Sequence, residues 1–155
     1  LDALPPYTDY SMKGRTYRYA EDECVLYPFG FGLIYGRMEM ENVSIEKDGD
    51  GFSIHIDVFS SSSVSEVIQV YVSDLDTPDV PKRSLKAFQR VSLECGERRT
   101  VEIRLGSDAF MTADDDGKMM ISGKHFLISV GFSQPDSVST VLMGRSSFIK
   151  EVEIS

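Results

Sequence analysis

The chain has no tryptophan, only two cysteines and two histidines, and few cations for its 155 residues. Lacking Trp, it lacks the side chain best suited to broad, flat stacking platforms on a protein surface. Cys24 and Cys95 lie 71 positions apart, far from the close Cys and His spacings that build zinc sites. Two unrelated thiols are the favoured reading over a disulfide, because a lone pair at arbitrary spacing carries no geometry. The compartment therefore stays open. Sixteen Lys and Arg stand against 25 Asp and Glu, for a net charge of −9. With no basic cluster to offset that deficit, nucleic acid and anionic membrane surfaces are poor partners. No run approaches the roughly 20 apolar residues that cross a bilayer. The first residues lack the basic-then-apolar order of a secretory signal. Leu1 in place of Met suggests processing or a cut from something longer. What remains is enough for one packed domain: 41% hydrophobic, 10% aromatic and 26% charged residues are the balance of a globular chain.

From residue 37 onward the pattern alternates. Phe52, Ile54, Ile56 and Val58 share one side of a strand, with Ser53, His55 and Asp57 on the other. Ile68, Val70 and Val72 repeat the period, as do Val101, Ile103 and Leu105, and then Phe126, Ile128, Val130 and Phe132. Weaker strands are expected over 37–47, 85–93 and 146–154, making seven. Met38 and Met40 are even while Val43 and Ile45 are odd. The inward face therefore changes across Glu41 and Asn42, which predicts a bulge or a crossing between sheets. Turn residues separate the runs at Asp48-Gly49-Asp50-Gly51, Gly96, Asp116-Gly117 and Ser122-Gly123. No segment shows a sustained helical period. Short strands with one apolar face each are best buried by stacking two sheets, so the expected fold is an all-β, immunoglobulin-like or fibronectin type III-like sandwich.

Residues 1–36 differ in kind. Six of the seven tyrosines lie there, with Phe29, Phe31, three prolines and four glycines, and neither the strand nor the helix period is present. Such an arm cannot form a core of its own, and its rings left in water would make an apolar patch. It must lie against something, either the sandwich or a domain outside this chain.

Chemistry is sparse. Paired-carboxylate hydrolysis needs two acids facing each other across a cleft, whereas these acids sit mostly in turns and on outward strand positions. Asp114-Asp115-Asp116-Gly117 resembles a calcium loop but lacks the alternate spacing and the twelfth-position Glu, so a tight acidic turn is favoured. His55 and His125 have no Ser or Cys near in sequence to activate and read as surface residues. Ser60 to Ser63 reads as a flexible loop rather than a glycan acceptor. Gly30-Phe31-Gly32 is followed by no helix and no suitable Lys, and is not a phosphate cradle. No catalytic residue, substrate-binding residue, metal or cofactor is expected.

Two blocks in the arm, Tyr10-Ser11-Met12-Lys13-Gly14-Arg15-Thr16-Tyr17-Arg18-Tyr19 and Leu26-Tyr27-Pro28-Phe29-Gly30-Phe31-Gly32-Leu33, resemble the C-terminal part of glycoside hydrolase family 3, the β-glucosidases and β-xylosidases. The likeness continues in order through Glu66-Val67-Ile68-Gln69-Val70-Tyr71-Val72, Leu85 to Val91, Gly96-Glu97, Asp116-Gly117-Lys118 and Ser129-Val130-Gly131. It implies that residues 37–155 form the fibronectin type III-like domain closing many members. Residues 1–36 would be the segment joining it to a preceding α/β domain. The resemblance also implies that the parent is an exo-acting hydrolase of terminal β-D-glycosides whose nucleophilic Asp and acid/base Glu lie in domains with no counterpart here. The chain departs from the family at Ile34 and Gly36, at Ser60 to Ser63, and at Met119, where Trp is frequent.

The leading expectation is a non-catalytic accessory domain whose partners are the catalytic domains of the parent, with a homodimer as a further partner. The arm contacts would come from Tyr10, Arg15, Tyr17, Arg18, Tyr19, Tyr27, Phe29 and Phe31. One alternative is a free-standing carbohydrate-binding module stacking sugars on Tyr71 and Phe59, which alternate outward. The other is a protein-docking sandwich offering the arm as a strand.

Overall fold

A computed structural model describes residues 6, 8–10, 12, 14–20, 22, 25–32, 34–78, 80–114 and 116–154. Alternating apolar residues build seven main strands: β1 (Met38–Asp48), β2 (Gly51–Ser60), β3 (Val64–Asp74), β4 (Ser84–Leu93), β5 (Arg98–Leu105), β8 (His125–Gly131) and β9 (Phe148–Glu153). A two-residue hairpin, β6 (Thr112–Ala113) with β7 (Met119–Met120), is inserted before β8. One sheet has the order β1-β2-β5 and the other β4-β3-β8-β9, with antiparallel neighbours throughout. The inward sides meet in one core. Ile54, Ile56 and Val58 face Ile68, Val70, Ile128 and Val130, all fully buried, as expected where each sheet has one apolar face.

The shift of phase in β1 is a bulge. Met40 pairs with Val58 and Asn42 with Asp57, leaving Glu41 as the extra residue. A second irregularity lies in β4, where Ala87 pairs with Val70 and Leu85 with Tyr71, leaving Lys86 extra. One end of the core is closed by a 3-10 turn, Ser107–Phe110, whose Phe110 ring packs 5.6 Å from Phe52 and 5.2 Å from Phe126.

Two expectations need correction. Ser137–Met143 is a helix, α2, although no helical period marks it. Two turns are too short to show a period, and its ends carry the signal instead. The Asp136 side chain caps the first turn by accepting the Ser139 N–H at 2.7 Å, and Gly144 closes the last in the left-handed region at φ 63°. Ser60–Ser63 is also more built than a flexible loop. Ser60 is fully buried, and its hydroxyl lies 2.9 Å from Arg37 O and 2.7 Å from Ser62 O, fixing the crossing from one sheet to the other.

Candidate interdomain surface

The two outer faces of the sandwich differ in chemistry. Across β1, β2 and β5 the outward residues are mostly polar or charged, and several are paired on the surface. Arg98 grips Glu41 at 2.8 Å and covers the Phe59 ring at 4.5 Å. Arg99 meets Glu97 at 2.6 Å, Arg104 meets Glu102 at 2.9 Å, and Thr100 donates to Asp57 at 2.6 Å. The Arg98 guanidinium holds the Glu41 carboxyl below its ordinary value. This is a solvated face.

The opposite face, on β3 and β4, is covered by the arm. A single helical turn, α1 (Thr16–Tyr19), sets Tyr17 over the sheet. Its ring stacks on Phe29 at 5.0 Å and meets Tyr71 edge-on at 6.5 Å. Backbone bonds fasten the cover at two points: Lys82 N–H donates to Arg18 O at 2.8 Å, and Gln134 N–H donates to Phe29 O at 3.0 Å. Beneath it Tyr71 is 1% exposed, not an outward platform for sugar. Its hydroxyl donates to Gln69 Oε1 at 2.6 Å, and Gln69 Nε2 donates to Phe132 O at 3.2 Å. Burial, and then the neighbouring Tyr17 and Asp136, push the Tyr71 phenol well above its ordinary pKa, so it stays a donor. Phe59, the other expected platform, is covered by Arg98. Gly30 sits at φ 84°, where a side chain would be strained, and an added Cβ would strike the Gln69 amide.

An arginine joins the arm to α2. Arg83 Nη2 donates to Asp22 at 2.5 Å, while its Nη1 stands 3.6 Å from Asp136 Oδ2, the cap of α2. Just past α2, Arg145 bridges the two sheets. It pairs with buried Glu66 of β3, donates to Met38 O of β1 at 2.7 Å, and lies over the Phe132 ring at 4.2 Å.

The arm residues singled out from the sequence are thereby placed. Tyr17 and Phe29 pack on the sheet. Arg15 donates to Pro6 O and Asp9 O within the arm. Arg18 contributes its carbonyl, and Tyr19 is half-buried. Tyr27 stacks on Phe31 at 5.7 Å yet stays 75% exposed, and Tyr10 is 94% exposed. Asp22, Arg83 and Asp136 act together although no sequence signal joins them. Between the arm and β3–β4 a mostly apolar cleft of about 460 Å³ is lined by Phe29, Gly30, Ile34, Val67, Phe88 and Met143, among others.

Other candidates resolve simply. Asp114 Oδ1 accepts the N–H groups of Asp116 at 3.0 Å and Lys118 at 2.8 Å, forming a tight acidic turn. His55 is half-buried. Exposed His125 pairs with Asp76 at 3.1 Å. Among the described residues no group of three or more His, Cys, Asp or Glu is placed to hold a metal ion, and no helix is long and apolar enough to cross a membrane. Cys95 is a free, exposed thiol, and Cys24 lies outside the described residues.

The fibronectin type III-like domain family (Fn3-like) matches residues 66–134. The sandwich is a fibronectin type III-like domain. Its relatives are glycosidases. The chain is 37% identical over 131 residues to the xylan 1,4-beta-xylosidase of Xylanibacter ruminicola, a match covering 81% of this chain and 15% of that protein. It is also 37% identical over 131 residues to a beta-glucosidase of Kluyveromyces marxianus, covering 79% and 16%. Among solved structures, the Bifidobacterium adolescentis GH3 beta-glucosidase superposes with a TM-score of 0.76 at 26% identity, over 91% of this chain and 21% of that one. The resemblance of this fibronectin type III-like domain to the one closing family 3 glycoside hydrolases thus holds. The chain spans between 15% and 19% of the length of the first curated relatives it matches.

Proposed function

We propose that this chain is the non-catalytic accessory domain of a family 3 glycoside hydrolase whose catalytic domains act on terminal β-D-glycosides. In this reading residues 37–155 are the fibronectin type III-like domain, and residues 1–36 are the segment joining it to the preceding domain. The domain stiffens the enzyme and adds to the rim of its substrate pocket. One observation carries the reading: a segment without a core of its own is packed and hydrogen-bonded onto one sheet, Tyr17 edge-on to Tyr71 and Phe29 O on the Gln134 N–H. A joining segment held this way passes orientation from one domain to the next, whereas a free linker would not.

Burial of Tyr71 and the Arg98 cover on Phe59 favour this reading over a free-standing carbohydrate-binding module. The test is hydrolysis of nitrophenyl β-glycosides, with calorimetry against xylan and cello-oligosaccharides. The 155-residue chain is expected to give no rate above buffer and no saturable heat, while the longer polypeptide that carries it cleaves the glycoside. Turnover by the 155-residue chain alone would refute the proposal, and so would a gene encoding no catalytic domain beside it.

A further inference from the structure

The geometry points to the cleft between the arm and β3–β4 as the surface on which the domain docks against the rest of its own polypeptide, through apolar side chains inserted beside Phe88. This rests on the reading above and adds which face is used and what fills it. The β1-β2-β5 face disfavours such a partner, because it is rich in charged groups, several of them paired with one another, and burying them would strip their water. The β3–β4 face is the reverse. Gln69 and Tyr71 of β3 already lie under the arm, and beside the exposed Arg90 what the face still shows is mostly hydrocarbon. Phe88 is 70% exposed on the parity opposite to buried Val91 and Leu93, and Phe29 and Ile34 are also open on the arm wall.

A cleft of about 460 Å³ accepts several apolar side chains, and an exposed apolar patch with a polar rim is the mark of a protein contact. A sugar is a poor occupant. Of the polar groups lining the cleft, Gln69 and Glu66 are spent on Tyr71, Phe132 and Arg145, and the Ser65 hydroxyl is paired with Ser92, which leaves the exposed Arg90 as a single cation among apolar walls. The remaining polypeptide is the occupant that chain length supports. The chain accounts for 15% to 19% of its first curated relatives, so most of such a protein lies outside it. The arm that forms one wall is also the segment that would enter from there.

Hydroxyl-radical footprinting, read by mass spectrometry, compares the 155-residue chain with the longer polypeptide. Phe88 and Met143 are expected to oxidise several-fold more slowly in the longer polypeptide, with Phe59 and His55 on the other face unchanged. In the longer polypeptide, Phe88→Glu is expected to restore oxidation of Met143 and speed proteolysis within the arm, while Thr100→Lys does neither. Unchanged rates at Phe88, or protection on the β1-β2-β5 face instead, would overturn the docking face and leave the accessory reading standing. Protection of Phe88 in the 155-residue chain that grows with its concentration would mean a second copy fills the cleft, and would overturn the proposed occupant. Absence of catalytic domains from the gene would instead remove the accessory reading itself.

Discussion

Replacing Tyr17 by Ala tests whether the arm is a structural layer of the domain. The ring is half-buried, stacked on Phe29 at 5.0 Å and edge-on to Tyr71 at 6.5 Å. Removing a fully buried aromatic ring costs about 3–5 kcal/mol. For a half-buried ring, about half of that applies, and the lost ring pairs are part of it. The expected loss is therefore about 2 kcal/mol, and at this chain length each kcal/mol lowers Tm by roughly 2–4 °C. The total shift is about 4–8 °C. The hydroxyl contributes little, because it accepts the Leu85 N–H only at a long 3.4 Å. Tyr17→Phe should thus stay within about 0.5 kcal/mol of the parent. Thermal and urea unfolding measure both variants, and near-ultraviolet absorbance follows Tyr71 as alkali is added. In the parent the phenol resists ionisation, and in Tyr17→Ala it should ionise at lower pH, since Tyr17 is one of the groups raising its pKa. If Tyr17→Ala unfolds within about 0.5 kcal/mol of the parent and Tyr71 titrates unchanged, the arm is not part of the fold.

Three further outcomes follow from the charged groups. Arg145→Met should destabilise by about 3–5 kcal/mol because it leaves the Glu66 carboxylate buried without its partner. Adding Glu66→Gln should recover most of that in urea unfolding. Asp136→Ala removes the cap of α2 and should cost about 1 kcal/mol, read as faster amide exchange at Ser139. The pair of Asp76 and His125 sets a pH dependence. The N–H groups of Lys124 and His125, and then the His125 ring, hold Asp76 down to about 2 from an ordinary 3.8. The hydrogen bond to Asp76 raises His125 above an ordinary 6.5. The Asp76 contribution is complete above 3.8 and lost as pH falls toward 2. The His125 contribution is complete below 6.5 and lost as pH rises through its raised value. Stability relative to Asp76→Asn should therefore be greatest between those limits and shrink on both sides, and the His125 proton resonances should titrate earlier in the variant.

The seven strands were legible because burial on one side writes itself as a period of two. The bulge at Glu41 was legible for the same reason, as Met38 and Ile45 cannot both face inward without an extra residue between them. Parity could not say what covers an outward residue. Tyr71 alternates outward in the sequence and is still buried, because a segment some fifty positions earlier lies on it. The same limit hid the bridge of Asp22, Arg83 and Asp136, whose members are brought together by folding alone. Helix α2 could have been found from its ends, since Asp136 with Ser139 and then Gly144 form a start and a stop signal. Of the arm residues, the sequence picked out the aromatic ones that pack, but it also picked out Tyr10 and Tyr27, which stay open.

The strand edges bear on how this domain meets a partner. Two open sheets present four outer strands, and an unguarded edge would recruit another strand. Here β1 carries the Glu41 bulge, and β4 carries Lys86 as an extra residue. On β5 the outward positions include Arg98 and Arg104, and on β9 Lys150 turns inward to donate to Ile45 O at 2.7 Å. Each device interrupts the regular ladder or sets a charge beside it. Strand addition, whether from a second copy or from an arm offered as a strand, is thus opposed at all four edges. The arm itself forms no strand among its described residues; it lies across the face of β3 and β4 as a layer. Association through a face, where hydrocarbon is still open, is the mode that this arrangement of bulges and charges leaves favoured.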